Sequence, residues 1–231
     1  MLADLDAAVA EARHAGASDS ALRIGCIPHV PLERLHQIVS AIKEAVSSCP
    51  LVEHLPTSEQ LPRLERGDLD LAIVDDAVDE RCDLHVLPLL RGGPINAILP
   101  ASHHLAETPA VGPEDLRDEP LVMFPRHVDP SLHDRLLTIF RAGGYRFRRV
   151  NHAIGPRRRD ILLAVAQGEG VALIPTSAHD LADSSTVLVP RPLTRALFMP
   201  DTVIVWRVAA PQRLADSLAS IRTLASTLYS A

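Results

Sequence analysis

Aromatic residues and lysine are the scarcest features of this 231-residue chain. Only 3% of the residues are aromatic, and Lys43 is the single lysine among 23 basic residues. Single-stranded nucleic acids are commonly bound by stacking bases on aromatic side chains, so the composition disfavours an RNA-binding protein. The formal net charge of −6 also disfavours a surface devoted to neutralising phosphates.

Cysteine is rare as well, and its spacing argues against two kinds of site. Cys26, Cys49 and Cys82 form no C-x-x-C pair, so we predict neither a disulfide framework nor a thiolate zinc centre. We expect a reducing compartment, the cytoplasm, with Cys26 as a buried small hydrophobic residue. No run of about 20 apolar residues occurs, and the acidic start is unlike a secretory signal, so we expect neither membrane insertion nor export.

Sequence motifs of catalysis are missing. The chain has no G-x-S-x-G, H-E-x-x-H, G-x-x-x-x-G-K-[ST] or post-strand G-x-G-x-x-G sequence. His103 and His104 are adjacent, but neighbouring histidines rarely converge on one ion. We therefore predict no enzyme, no cofactor and no metal site.

The apolar pattern alternates strands with helices and predicts an α/β fold. Strands are expected at residues 22–27, 51–55 and 69–74, with one helix opened by Pro31 and a second by Thr57. Residues Thr57 to Gln60 read T-S-E-Q, which has the form of a capping box. The order β-α-β-α-β predicts a parallel sheet covered on both faces.

The second half of the chain repeats this alternation. Gly92-Gly93-Pro94 is expected to carry the chain from one sheet to another, and a strand at 202–208 returns it. Pro211 then opens one long terminal helix. We predict the end of a linker helix and a linker in residues 1–21, subdomain I in residues 22–95 plus 202–231, and an inserted subdomain II in residues 96–201.

Two helix starts are the most informative features for function. Pro28-His29-Val30-Pro31 follows the first strand, and Asp129-Pro130-Ser131-Leu132 follows a strand at 121–124. The free N–H groups and the positive dipole end of a helix N-terminus favour a carboxylate. If the two sheet edges face one crevice, a small acid could lie between them, with hydrogen bonds from His29, Thr57 and Ser131. The alternative is ordinary helix capping.

A pair of acids follows the third strand. Asp75 and Asp76 stand at the carboxyl end of a predicted parallel strand, where ligands bind in open α/β sheets. A simple turn explains them equally well. If they reach the crevice, they would repel an anion or hold a cationic group.

Five blocks of sequence, in order, resemble the effector-binding domain of LysR-type transcriptional regulators. They are L-R-I-G from Leu22, E-R-G-D-L-D-L-A-I-V from Glu65, L-P-A-S-H-H-L-A from Leu99, D-L-R-D-E-P-L-V-M-F-P from Asp115 and G-E-G-V-A-L-I-P from Gly168. The resemblance covers the chain from Leu22 to the terminal helix. The stretch Pro130-Ser131-Leu132-His133-Asp134 is most similar to the branch that senses aromatic-pathway acids.

The resemblance implies two Rossmann-like subdomains joined by a hinge, as in type 2 periplasmic binding proteins, with the effector in the interdomain cleft. Together with the two helix starts, this predicts a small carboxylate effector. It also assigns six effector-binding positions, to which the strand-end argument adds Asp75 and Asp76 as candidate cleft acids. These positions are His29, Val30, Thr57, Pro130, Ser131 and Leu132. His29 replaces the small hydroxyl residue common at its position, and an imidazole is bulkier and can gain a charge near neutral pH.

The resemblance further implies a homodimer or homotetramer, with DNA bound only through a winged helix-turn-helix outside these 231 residues. We expect the first helix, 32–48, to form a subunit contact if Leu35 and Ile42 do not fit under the sheet. Two alternatives on the same fold are a small-acid enzyme and a solute-binding protein. The missing acid/base motifs and the missing export signal argue against them.

Overall fold

The computed structural model describes residues 21–45, 50–75, 83–155, 157–175, 186–210, 212–215 and 217–230. The predicted linker helix in residues 1–20, and Asp76, lie outside these ranges. The strands are β1 (Arg23–Cys26), β2 (Leu51–His54), β3 (Leu71–Asp75), β4 (Leu84–Leu90), β5 (Ile95–Pro100), β6 (Pro120–Met123), β7 (Arg149–His152), β8 (Ala172–Pro175), β9 (Leu188–Pro192) and β10 (Thr202–Arg207). The helices are α1 (Leu32–Ala45), α2 (Thr57–Arg66), α3 (Pro130–Ala142), α4 (Arg158–Ala166), α5 (Gln212–Ala215) and α6 (Leu218–Ser230).

The first sheet has the strand order β2-β1-β3-β10-β4. Strands β2, β1 and β3 run parallel, as predicted, and β10 lies antiparallel between β3 and β4. Ile38 of α1 and Ile221 of α6 share one core with the sheet, whereas Leu64 of α2 belongs to a separate core with Val205. The sheet is therefore buried on both faces, which explains the wholly buried, apolar β3.

The second sheet is built from β8-β5-β9 and the parallel pair β6-β7. A bridge between Leu121 and Val171 joins the two groups of strands. Gly170 lies where β6 and this bridge meet, with a φ of +148° and an ideal Cβ position 2.3 Å from the Pro120 carbonyl oxygen. Only glycine fits that close approach. Helices α3 and α4 pack into two different cores of this unit.

The chain crosses between the sheets twice, and the two crossings run side by side. Met199 donates its backbone N–H to the Gly93 carbonyl at 3.0 Å, and Gly92 donates its N–H to the Asp201 carboxylate at 2.8 Å. Tyr229 of α6 donates its hydroxyl to the same carboxylate at 2.7 Å. The crossing lies where Gly92-Gly93-Pro94 indicated, and Ile95 already belongs to the second sheet. The exact subdomain limits stay a prediction.

One expectation about the helices is wrong, and another loses its premise. The terminal helix is two helices, α5 and α6, because the amide and hydroxyl of Ser217 both bond the Leu214 carbonyl and close a turn between them. On α1, Leu35 and Ile42 are both buried under the sheet, so they give no reason to place a subunit contact there.

Candidate functional site

The functional residues of the first sheet lie at one edge. Strands β1, β2 and β3 are parallel, so their carboxyl ends meet at the same side of the sheet. His29 follows β1, Thr57 begins α2 after β2, and Asp75 ends β3. In open α/β sheets this edge is where ligands bind.

Within the described ranges, Asp75 is a buried carboxylate with one side-chain partner. It is 2% exposed, and its Oδ1 lies 3.0 Å from Nε2 of His29. Its other oxygen, Oδ2, is buried with no hydrogen-bond partner among the residues that the structure describes. Buried carboxylates are normally paired or hydrogen-bonded through both oxygens. Half of this carboxylate is therefore left available for a further donor.

The start of α2 differs from the predicted capping box. The N-cap is Pro56, which offers no side-chain cap, and Thr57 is already helical. The side-chain amide of Gln60 donates to the Leu55 and Ile73 carbonyls at 2.7 and 3.2 Å. It therefore links α2 to β3 and to the segment after β2, and does not cap the helix. Thr57 is buried, and its hydroxyl has no hydrogen-bond partner in the described part of the chain.

The start of α3 is capped by Asp129, as the sequence predicted. The Asp129 carboxylate accepts a hydrogen bond from the Leu132 N–H at 3.1 Å, and Pro130 occupies the first helical position. Asp129 is 6% exposed. It also accepts a hydrogen bond from the Thr57 backbone N–H. One carboxylate thus joins the N-termini of two helices that belong to different sheets.

The groups around Asp129 shift the pKa of its carboxyl in opposite directions. Burial raises the pKa of the Asp129 carboxyl, while the hydrogen bond from Leu132 lowers it. The neighbouring Asp75 carboxylate raises the pKa further, and the Thr57 N–H and the His29 ring lower it. The net direction is upward. Two carboxylates, one from each half of the fold, therefore share one poorly solvated region.

The structure brings together part of the predicted set. Val30 and Leu132 are buried near the two helix starts, Pro130 is half-buried, and Ser131 is exposed. His29, Thr57 and Asp75 line the edge of the first sheet. The role of each as an effector contact stays a prediction. Asp129 was recognised in the sequence only as a cap, because a cap motif does not show that a second helix will donate to the same carboxylate.

Cys26 is confirmed as a buried small residue. It is fully buried in the first core at the end of β1. Burial raises the pKa of its thiol to about 12. A thiol with this pKa is not a nucleophile at neutral pH. Cys49 and Cys82 lie outside the described residues.

One group of metal-ligand side chains comes together in the described part of the chain. Ligand atoms of His103, His104 and Glu119 lie within 4.8 Å of one another. The two imidazole rings, however, are stacked with their centroids 4.4 Å apart, so their in-plane lone pairs run alongside each other and do not converge. His103 also uses Nδ1 to accept the Leu105 N–H at 3.2 Å and places Nε2 3.3 Å from Glu119. The arrangement is that of a structural hydrogen-bond pair.

The two sheets, their paired crossings and the polar cluster between two helix N-termini define an α/β ligand-binding domain of the type 2 periplasmic-binding-protein kind. The chain belongs to the LysR substrate-binding domain family, whose model matches residues 15–221. It is a regulatory domain and not a catalytic one. The resemblance seen in the five sequence blocks is thereby confirmed.

Known relatives and solved structures agree with this assignment. The HTH-type transcriptional regulator AlsR of Bacillus subtilis is 25% identical over 170 residues, which are 73% of this chain and 55% of AlsR. The BenM effector binding domain with its effector benzoate superposes with a TM-score of 0.71 at 20% identity, covering 90% of this chain and 93% of that one. The effector binding domain of QuiR in complex with shikimate gives 0.72 at 13% identity, covering 92% and 100%.

This chain spans about half the length of the curated relatives it matches. Among the described helices, none has both the length and the apolar character needed to cross a bilayer.

Proposed function

We propose that this domain senses a small-molecule effector in the cleft between its two sheets and thereby controls transcription by a LysR-type regulator. The observation that carries the proposal is the Asp129 carboxylate, which accepts hydrogen bonds from the N-termini of both α2 and α3. These helices begin at different sheets. A ligand that alters the polar contacts here changes how firmly the two halves are held together, and so shifts the population of closed and open states.

The proposed effector contacts are the residues around the two helix starts, with Asp75 beneath them. They are His29, Val30, Thr57, Pro130, Ser131 and Leu132. The N-termini of α2 and α3 support a polar ligand at this place, because the positive ends of both helix dipoles lie there. The BenM complex with benzoate and the QuiR complex with shikimate support a small acid as the effector. The Asp129 carboxylate, in contrast, already supplies one negative charge at this place and disfavours a second.

The rest of the proposal concerns the protein to which this domain belongs. We place the sensor in the cytoplasm, as a homodimer or homotetramer, with DNA bound by a separate domain. Subdomain I comprises residues 22–95 plus 202–231, and subdomain II comprises residues 96–201. The paired crossings beside Gly92 and Met199 supply the hinge. Effector binding at one end of the cleft then changes how the subunits present their DNA-binding domains.

A thermal-shift screen tests the proposal. The 231-residue chain is heated with panels of small carboxylates, amino acids and amines. A ligand at 100 times its Kd stabilises the fold by about 2.7 kcal/mol. We expect at least one stabilising compound, with the effect lost in Thr57→Val and retained in Thr138→Val, whose hydroxyl is exposed on α3. A chain that no compound stabilises would contradict the proposed function.

A further inference from the structure

The anion position between the two helix N-termini is already filled by a side chain of this protein. Asp129 accepts the Leu132 N–H of its own helix at 3.1 Å and the Thr57 N–H of α2. These are the donors that a carboxylate effector would use. Such an effector would have to displace Asp129 from both helices.

The charges near this position disfavour another anion. Asp75 and Asp129 are 2% and 6% exposed, and within the described ranges neither is paired with a lysine or an arginine. Each helix N-terminus contributes roughly half a positive charge, so together they offset about one of the two carboxylates. The two buried carboxylates therefore outweigh the helix dipoles, and this balance disfavours an acid and favours a cation.

Two buried acceptors in the same region have no donor among the described residues. Asp75 uses Oδ1 for His29 and leaves Oδ2 without a partner. Thr57 donates its backbone N–H to Asp129, yet its Oγ1 is buried with no hydrogen-bond partner. A carboxylate has no N–H or O–H to offer Asp75, whereas an ammonium group has three donors and no acceptor.

We propose that the effector of this domain carries an ammonium group, which binds between the Asp75 and Asp129 carboxylates and donates to the Thr57 hydroxyl. This inference rests on the proposed function, since it names the chemical class of ligand for the same cleft. Asp75 comes from the first half of the fold and Asp129 from the second. A cation between them draws the halves together, so binding and closure are coupled.

The test uses two pairs of compounds that share a ring and differ in their charged group. Benzylamine is compared with benzoate, and cyclohexylamine with cyclohexanecarboxylate, by thermal shift and calorimetry on the 231-residue chain. We expect the amines to stabilise the domain and the carboxylates to bind at least tenfold more weakly. The fold needs no change for this comparison.

Three variants separate the cleft from general attraction to an acidic protein. Asp75→Asn and Asp129→Asn should each weaken amine binding at least tenfold, whereas Asp134→Asn, an exposed acid on α3, should leave it within twofold. Asp129→Asn keeps a side chain that caps helices well, so it is expected to fold. It also removes the resident anion, and benzoate should therefore bind more tightly to it than to the parent.

The outcomes separate the inference of an ammonium ligand from the proposed sensing function. Amine binding that requires Asp75 and Asp129 supports the inference. Carboxylate binding that is stronger than amine binding and insensitive to Asp129→Asn overturns the inference and leaves the proposed function standing. Amine binding that Asp134→Asn weakens as much as Asp75→Asn does overturns it as well. No binding by any of the four compounds or by the wider panels overturns both.

Discussion

Nε2 of His29 lies 3.0 Å from Oδ1 of Asp75, and this contact ties the segment after β1 to the end of β3. The carboxylate is 2% exposed, while the imidazole side chain is 29% exposed. His29 therefore separates a buried charge from solvent at the edge of the sheet where the effector is proposed to bind. Its ring is the one described side-chain partner of Asp75.

Removing this partner should weaken the fold. His29→Ala leaves a buried carboxylate without its side-chain hydrogen bond, which costs about 1–3 kcal/mol. Urea denaturation monitored by circular dichroism at pH 7 measures the change. His36→Ala, at an exposed position on α1, is the control and should stay within about 0.5 kcal/mol of the parent. Equal losses in the two variants would contradict the structural role of His29.

The stability of the Asp129→Asn variant should depend on pH in a particular direction. Burial raises the pKa of Asp129 in the folded state. A raised carboxyl pKa stabilises the folded parent at low pH, and that contribution is lost as the pH rises through the folded pKa. Asparagine does not titrate. The free energy of unfolding of the parent should therefore rise relative to that of the variant as the pH falls toward 3.8, the ordinary pKa of an aspartate.

Denaturant unfolding of both proteins from pH 7 down to pH 4 measures this difference. Asp134→Asn is the opposite control, because the Arg126 guanidinium lowers the pKa of Asp134 to about 2. That carboxylate stays ionised in the folded parent but begins to take up protons in the unfolded chain near pH 4, so the stability of the parent relative to this variant should fall, not rise, toward pH 4. A difference for Asp129→Asn that moves in favour of the variant at lower pH would refute the assignment.

Gly92 and Gly93 should respond differently to alanine. A Cβ at Gly92 would stand 1.7 Å from the Met199 carbonyl oxygen, in the adjacent crossing, and backbone cannot give way there as a side chain would. Overpacking costs of about 1–3 kcal/mol are typical, and we expect Gly92→Ala at the upper end or beyond. A Cβ at Gly93 meets nothing within 4 Å, so Gly93→Ala should be neutral within about 0.5 kcal/mol. Thermal unfolding of the two variants checks this, and similar losses would mean that the crossings are not packed as described.

Cys26 should be unreactive in the folded protein. Its thiol is fully buried and burial raises its pKa to about 12, so little thiolate exists at pH 8. In a Cys49→Ser, Cys82→Ser background, a chromogenic disulfide reagent should label Cys26 only as fast as the chain opens, and at once in urea. Rapid labelling of the native protein would place Cys26 elsewhere than in the first core.

Local signals in the sequence predicted the strands well. The apolar run that became β3 is buried on both faces, and parallel pairing of β1, β2 and β3 follows from the helices between them. The Asp129-Pro130 cap and the glycine crossing were also predicted, because each depends on a few neighbouring residues. The helical pattern after Pro211 missed the break at Ser217, whose hydroxyl competes for a backbone carbonyl.

The composition of the site was less predictable, since it depends on contacts between distant segments. Nothing near Thr57 in sequence indicates that its N–H will donate to Asp129, and the T-S-E-Q motif indicated a different cap. Nothing near Asp75 indicates that one of its oxygens is buried without a partner. The sequence predicted a carboxylate effector because it showed two helix N-termini without a partner. In the folded chain, the Asp129 carboxylate accepts a hydrogen bond from each of them.

The most direct test of the proposed function is an NMR titration of the 15N-labelled chain with the first stabilising compound from the screen. The backbone amides of Thr57 and Leu132, one from each half of the fold, are the reporters. We predict that both amide resonances shift along one binding curve with a single Kd, because both N–H groups donate to the same carboxylate in the cleft. Saturation of binding with neither amide resonance displaced would contradict a ligand site between the two sheets.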